Sequence, residues 1–165
     1  MKLKRIMTII VLLLLAVSVW YLLADKEEAD DGALNALMSL EVVNGEMYSA
    51  ADLSSMPTLV VIWTTWCPSC LEELAYLKEH YQEISSLVNL VAVNATIHER
   101  SINDVDRLLE VAELPFVVLV DQDGQSMKHF QSRYIPANFL VDINGKVINS
   151  LEGPISKETI IKWLE

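Results

Sequence analysis

The sequence predicts an α/β domain with a mixed central β-sheet flanked by helices. Apolar, β-branched runs alternate along the chain with amphipathic helical patterns, and an Asn-Gly dipeptide marks a tight turn near each end of the domain. Strands that alternate with helices pair in parallel through crossovers, whereas the turn at Asn144 and Gly145 closes an antiparallel hairpin. Parallel and antiparallel pairs together give a mixed sheet.

A strongly apolar segment precedes this domain. Of the 165 residues, 52% are hydrophobic, and residues 6–24 contain 17 apolar side chains and no charge. A helix of that length spans about 28 Å, close to the ~30 Å hydrocarbon core of a bilayer. Basic residues precede the segment and acidic residues follow it, which predicts that the domain lies outside the cytoplasm. We expect residues 1–24 to form one transmembrane anchor; a cleaved signal peptide is the alternative.

The folded part is predicted to begin after an acidic tether. We assign residues 25–37 to the tether and residues 38–165 to the domain. The Asn44-Gly45 dipeptide divides residues 38–48 into two short strands, which predicts an N-terminal β-hairpin. Residues 58–64 are β-branched and apolar, as in a strand that is buried on both faces.

The rest of the chain continues the alternation of helices and strands. Apolar residues at helical spacing predict a helix over 68–87, and the next strand covers 87–94. Ser101 is the predicted N-cap of a helix over 101–113. The remaining predicted elements are a strand over 116–120, a short helix over 127–134, hairpin strands over 139–143 and 146–151, and a helix over 156–164.

Composition excludes several classes of protein. The net charge of −11 argues against a nucleic-acid partner, and two cysteines cannot form a disulfide scaffold. The turns that begin at Asp121 and Asp142 look like the start of a calcium loop but lack its later acidic ligands. We therefore predict neither a metal nor any other cofactor.

The chemistry is concentrated in Trp66-Cys67-Pro68-Ser69-Cys70, between a strand and a helix. If the helix starts here, Cys67 is its N-cap and Pro68 occupies the first helical position. The amides of Ser69 and Cys70 then point at the Cys67 sulfur and stabilise its thiolate, while Cys70 lies deeper. Cys67 is thus the expected nucleophile that attacks a disulfide, and Cys70 resolves the mixed disulfide.

The cysteine pair has two alternative interpretations. A stabilising disulfide between Cys67 and Cys70 would close too short a loop to contribute much. A zinc half-site would need further ligands, and His80, His98 and His129 do not lie at zinc-finger spacing from the pair. Redox chemistry remains the favoured function.

Two motifs resemble a known family. Residues 63–70, Trp-Thr-Thr-Trp-Cys-Pro-Ser-Cys, and residues 135–142, Ile-Pro-Ala-Asn-Phe-Leu-Val-Asp, are similar to those of membrane-anchored, thioredoxin-like proteins of the TlpA/ResA type. The resemblance covers residues 38–164 and implies a thioredoxin-like fold, with residues 95–121 as an inserted βα unit. Ile135, Ala137 and Asn138, which surround Pro136, depart from the family's commoner Thr-rich set.

The resemblance also assigns roles to residues outside the cysteine pair. It implies that Pro136 is a cis-proline packed against the cysteines and that the Ile135 backbone, together with Trp66, meets the substrate. It further implies that Glu73 is the active-site glutamate. Its position three residues after Cys70 would let its carboxylate exchange a proton with that thiol, although it could merely complement the helix start.

These expectations define a membrane-tethered thiol:disulfide oxidoreductase. The resemblance implies that it reduces disulfides in exported proteins, such as apocytochrome c during cytochrome maturation, and that a transmembrane protein supplies its electrons. The alternatives are an oxidase or isomerase for secreted proteins, a thiol peroxidase, suggested by Thr64 three residues before Cys67, and a Cu(I) carrier that uses both thiolates.

Overall fold

A computed structural model describes residues 32–44 and 55–165, together with the isolated positions Leu13 and Leu53. Apart from Leu13, the predicted membrane anchor lies outside the described residues, as do the acidic residues 25–31 and the predicted second strand of the N-terminal hairpin. None of the helices described is long and apolar enough to cross a membrane.

Six strands of the described chain form one mixed sheet. They are β1 (Glu41–Asn44), β2 (Thr58–Trp63), β3 (Asn89–Asn94), β4 (Val117–Val120), β5 (Ala137–Val141) and β6 (Val147–Glu152). Their order across the sheet is β1-β4-β3-β2-β5-β6. The β4, β3 and β2 strands are parallel neighbours, whereas β1, β5 and β6 pair antiparallel, which confirms the predicted mixed sheet.

The helices connect these strands and cover both faces of the sheet. They are α1 (Gly32–Met38), α2 (Pro68–Glu79), α3 (Tyr81–Ile84), α4 (Ile102–Ala112), α5 (Gln125–His129) and α6 (Lys157–Leu164), with a 3₁₀ turn at Thr96–His98. Ser101 and Ser156 cap α4 and α6 through their hydroxyls, because each accepts a backbone N–H of the first turn.

The alternation of side chains along β2 divides the core into two layers. Leu59, Val61 and Trp63 point to one face, where they join buried residues of α2, α4 and α6. Val60 and Ile62 point to the other, where α1 and the end of α5 pack. All six β2 side chains are buried, as the sequence predicts for a central strand.

The structure corrects three boundaries. Gly32–Met38 is a helix that buries Ala33 and Leu37, so folded structure begins before the predicted domain start at residue 38. The helix predicted over 68–87 is interrupted at His80, whose backbone leaves the helical region (φ −97°, ψ 12°). The short helix predicted over 127–134 spans Gln125–His129, because the buried Asp121 carboxylate accepts the backbone N–H groups of its first residues.

Candidate active site

Both cysteines lie where β2 ends and α2 begins. Cys67 is the N-cap of α2 and Pro68 the first helical residue, as the sequence predicts. The Cys67 sulfur accepts the Cys70 backbone N–H at 3.2 Å, and the Ser69 hydroxyl lies 3.4 Å from the same sulfur. The Ser69 contact is made by its hydroxyl, whereas the sequence predicted one by its amide.

Cys67 and Cys70 form a disulfide in this structure. Cys67 is 5% exposed and Cys70 is fully buried, so an incoming thiol meets Cys67 first. After reduction, the Cys70 amide and the positive end of α2 stabilise a negative charge on the Cys67 sulfur. The pair therefore has one accessible, thiolate-favouring sulfur and one enclosed sulfur.

The turn before Cys67 is held by a residue that the sequence analysis missed. Glu99 accepts hydrogen bonds from the backbone N–H and the hydroxyl of Thr65, both at 2.6 Å, and from the Asn94 side chain at 2.8 Å. Because β2 and β3 are parallel neighbours, their carboxyl ends meet at one edge of the sheet. The pairing of β2 with β3 is a signal from which residues 95–99 could have been predicted to lie near the cysteine turn. No sequence motif, however, distinguishes Glu99 among them.

Trp66 is an exposed aromatic beside the accessible cysteine. Its side chain is 52% exposed, and its indole N–H donates to the His98 carbonyl at 2.9 Å. That hydrogen bond anchors the polar edge of the indole. The predicted substrate-contacting residue therefore presents a large apolar surface next to Cys67.

Glu73 is buried in α2, one turn after Cys70. Its side chain is 2% exposed, and its Oε1 accepts hydrogen bonds from the Ile155 backbone N–H at 2.7 Å and from Asn138 Nδ2 at 2.8 Å. Loss of solvation raises the pKa of Glu73 from 4.5 to about 7, although both hydrogen bonds oppose that rise. Glu73 and Cys70 share a helix face, so a carboxyl that titrates near neutrality lies one turn from the enclosed sulfur.

The proline predicted to be cis is cis, at the Ile135–Pro136 bond. Ala137 pairs with Ile62, so Pro136 lies beside the end of β2 at the edge that carries the cysteine turn. Ile135 packs against the core cluster that contains both cysteines. Ile135 and Pro136 therefore lie towards the edge of the sheet that carries Trp66 and the two cysteines, while Glu73 lies one turn into α2. The substrate-binding roles of Trp66, Ile135 and Pro136 stay predictions.

Acidic residues of the two Asp-containing turns hold the backbone. Asp121 accepts from the amides of Gln125 and Ser126, and Asp142 accepts from those of Asn144 and Lys146. Within the part of the chain that the structure describes, no three His, Cys, Asp or Glu side chains are grouped as metal ligands.

A redox-active cysteine pair at the start of a helix, next to a cis-proline and on a mixed sheet, defines a thioredoxin-like thiol:disulfide oxidoreductase. Residues 32–150 match the AhpC/TSA family, and the chain belongs to that family. Within it, the relatives below identify the chain as a thiol-disulfide oxidoreductase of the ResA/StoA type.

Similarity to characterised relatives extends over nearly the whole chain. Sporulation thiol-disulfide oxidoreductase A of Bacillus subtilis is 30% identical over 163 residues, which cover 98% of both chains. Thiol-disulfide oxidoreductase ResA of the same organism is 29% identical over 86% of this chain and 78% of its own. The crystal structure of StoA from Bacillus subtilis superposes with a TM-score of 0.67 at 29% identity, covering 76% of this chain and 94% of that one.

Proposed function

We propose that this protein is a membrane-tethered, extracytoplasmic reductase of disulfides in exported proteins. The observation that carries the proposal is the asymmetric pair itself, in which Cys67 caps α2 and keeps 5% exposure, whereas Cys70 is fully buried and is followed one turn later by the buried Glu73. Such a pair exchanges disulfides with a substrate that approaches from one side.

The proposed reaction begins with the reduced pair. The Cys67 thiolate attacks one sulfur of the substrate disulfide, a Cys67–substrate disulfide forms, and the other substrate sulfur leaves as a thiolate. Glu73 takes the proton of Cys70, and the Cys70 thiolate attacks the Cys67 sulfur. The substrate's second sulfur leaves, both substrate thiolates take up protons, and the Cys67–Cys70 disulfide remains. Two electrons have then passed from protein to substrate.

The proposed location and electron donor are inferred from the residues that precede the domain, and the proposed substrate from the family resemblance. The apolar residues 6–24, preceded by basic and followed by acidic residues, support a single-pass anchor with the domain outside the cytoplasm. A reductase there has to be re-reduced, so we infer a transmembrane protein that donates electrons. Apocytochrome c is the substrate implied by the resemblance to TlpA/ResA-type proteins.

One observation favours the opposite direction of electron flow. The Ser69 hydroxyl lies 3.4 Å from the Cys67 sulfur, where it would add a donor to the Cys67 thiolate, besides the Cys70 amide, once the pair is reduced. Donors that stabilise the reduced form make a dithiol pair more oxidising. A disulfide oxidase or isomerase for secreted proteins is therefore the second candidate.

A mixed-disulfide trap tests the proposal. In Cys70→Ser, Cys67 still attacks a substrate disulfide but nothing resolves the adduct, so mature exported proteins, whose precursors carry a secretion signal, should accumulate on the variant as thiol-reducible adducts. Cys67→Ser is the matched control and should trap far less, since its remaining thiol is buried. Adducts formed solely with cytoplasmic proteins, or equally by both variants, would contradict it.

A further inference from the structure

Asn138 joins the buried glutamate to the loop after β6. It is itself buried on β5, two residues after the cis-proline. Its side-chain Nδ2 donates to Glu73 Oε1 at 2.8 Å and to the Gly153 carbonyl at 2.9 Å. Both amide hydrogens therefore make hydrogen bonds. If the side-chain nitrogen and oxygen of Asn138 were exchanged, its oxygen would face the Glu73 carboxylate and the Gly153 carbonyl, and neither hydrogen bond could form.

The loop that completes this contact has a constrained backbone. Gly153 has φ +107°, a region that side-chain-bearing residues rarely adopt, and its N–H donates to the Pro136 carbonyl at 2.8 Å. Two residues later, the Ile155 N–H donates to Glu73 Oε1. The loop is thus fixed to both the cis-proline strand and the glutamate, and Asn138 connects the three.

The two oxygens of Glu73 have different environments. Oε1 accepts two hydrogen bonds, whereas Oε2 is buried and has no hydrogen-bond partner among the described residues. An anion without donors is costly in such a site, so a proton that binds Glu73 is favoured on Oε2. The Asn138 donor therefore determines which oxygen is free to exchange a proton.

We propose that Asn138 is a positioning residue for Glu73: its side-chain amide fixes Oε1 and leaves Oε2 to exchange a proton with the Cys70 thiol. The inference rests on the proton role given to Glu73 under the proposed function. The proton leaves the Cys70 sulfur, binds Oε2 and neutralises the carboxylate, while the electron pair stays on the Cys70 sulfur. That sulfur attacks Cys67 in the mixed disulfide, the bond between Cys67 and the substrate breaks, and the substrate sulfur leaves as a thiolate. Removing the Asn138 donor makes the Glu73 carboxylate harder to form and slows this step at neutral pH.

Few other groups act on this carboxyl. Desolvation raises the pKa of Glu73, and the Ile155 and Asn138 donors lower it. Cys67 and Cys70 are joined in the oxidised state. The other titratable groups on the neighbouring elements do not contribute to the shift in the Glu73 pKa: Glu72, Tyr76, Lys78 and Glu79 on α2, Glu152 on β6, and Lys157, Glu158 and Lys162 on α6. Among the described residues, Asn138 is therefore the side-chain donor whose loss is expected to change the titration of Glu73.

The first test is the titration of Glu73 in the oxidised full-length chain, monitored by NMR of ¹³C-labelled glutamate carboxyl groups. Glu73→Gln assigns the signal. Asn138→Leu removes the donor at similar size, and Asn138→Ala does so with a smaller side chain if leucine does not pack. Asn149→Ala, on the neighbouring strand β6, is the matched control. Loss of one hydrogen bond to a carboxylate is expected to raise the midpoint of the Glu73 titration by about one pH unit in the Asn138 variants. The control should leave this midpoint unchanged.

The rate of disulfide exchange provides the second readout. The pH midpoint of the resolving step should move upward with the Glu73 titration, and the rate at pH 7 should fall about fivefold, since the ionised fraction falls from about a half to about a tenth. In a Glu73→Gln background, Asn138→Leu should leave the pH profile unchanged.

The two readouts separate the possible failures. An unchanged Glu73 midpoint in both Asn138 variants would overturn the inference, as would an equal loss of rate with and without Glu73. A shifted midpoint with an unchanged exchange profile would contradict the proton role of Glu73 in the proposed function, while the coupling between Asn138 and Glu73 would stand.

Discussion

Thr65 donates two hydrogen bonds to the carboxylate of Glu99, one from its backbone N–H and one from its hydroxyl, both at 2.6 Å. Thr65 lies two residues before Cys67, and Glu99 follows the 3₁₀ turn after β3. The segment between β3 and α4 therefore holds the turn that presents the accessible cysteine, although 34 residues separate the two partners in the chain.

Removing the Glu99 carboxylate should destabilise the domain and loosen the cysteine turn. Glu99→Ala leaves the Thr65 donors and Asn94 without their acceptor, so the free energy of unfolding is expected to fall by about 1–3 kcal/mol in urea denaturation. Glu110→Ala, an exposed glutamate of α4, is the control and should change little. Equal stabilities for the two variants would show that Glu99 contributes nothing to holding the turn.

The raised pKa of Glu73, about 7, makes stability depend on pH. Between about pH 4.5 and 7 the folded chain keeps a proton that the unfolded chain releases, so the stability associated with Glu73 is complete below 4.5 and is lost as the pH rises through 7. The loss is on the order of 3 kcal/mol. Glu73→Gln should therefore become more stable relative to the parent between pH 5 and pH 8.

Urea denaturation at several pH values measures this difference. Glu72→Gln is the matched control, because the neighbouring Glu72 is exposed on the same helix. The control should follow the parent at every pH. A stability difference between Glu73→Gln and the parent that does not change with pH would show that the carboxyl titrates normally.

Trp66 should contribute to the capture of protein substrates more than to exchange itself. Its exposed indole offers apolar surface next to Cys67, and that surface matters for a bulky substrate. Trp66→Ala is expected to slow the reduction of a protein disulfide several-fold while leaving exchange with oxidised glutathione nearly unchanged. Val111→Ala, which removes exposed apolar surface from α4, should change neither rate; equal slowing with both substrates by Trp66→Ala would indicate a disturbed cysteine turn instead.

The sequence predicted the elements whose pattern is local. The buried run of β2, the Cys67 cap followed by Pro68, and the Ser101 cap each depend on neighbouring residues, and the structure shows all three. The interruption at His80 was missed because the apolar stripe continues across it to Ile84, and a periodic pattern does not reveal a change of backbone angle at one residue.

The contacts that tune the site are non-local and were not predicted. Glu99 reaches Thr65 because β2 and β3 are parallel neighbours, and Asn138 reaches Glu73 because β5 lies next to β2. The residues that neighbour Glu73 and Glu99 in the chain do not distinguish these two glutamates from solvent-exposed ones. Their burial and partners depend on the order of strands, which residue spacing alone does not determine.

The reduction potential of the Cys67–Cys70 pair in the full-length chain tests the proposed direction of electron flow most directly. The protein is equilibrated in defined thiol buffers, and its reduced fraction is measured by alkylation, with Trp66 fluorescence as a second probe. A reductase requires a value near or below about −250 mV, towards the thioredoxin end of the range. A value between about −120 and −180 mV would contradict the reductase and identify a disulfide donor or isomerase, and the apocytochrome assignment would be withdrawn.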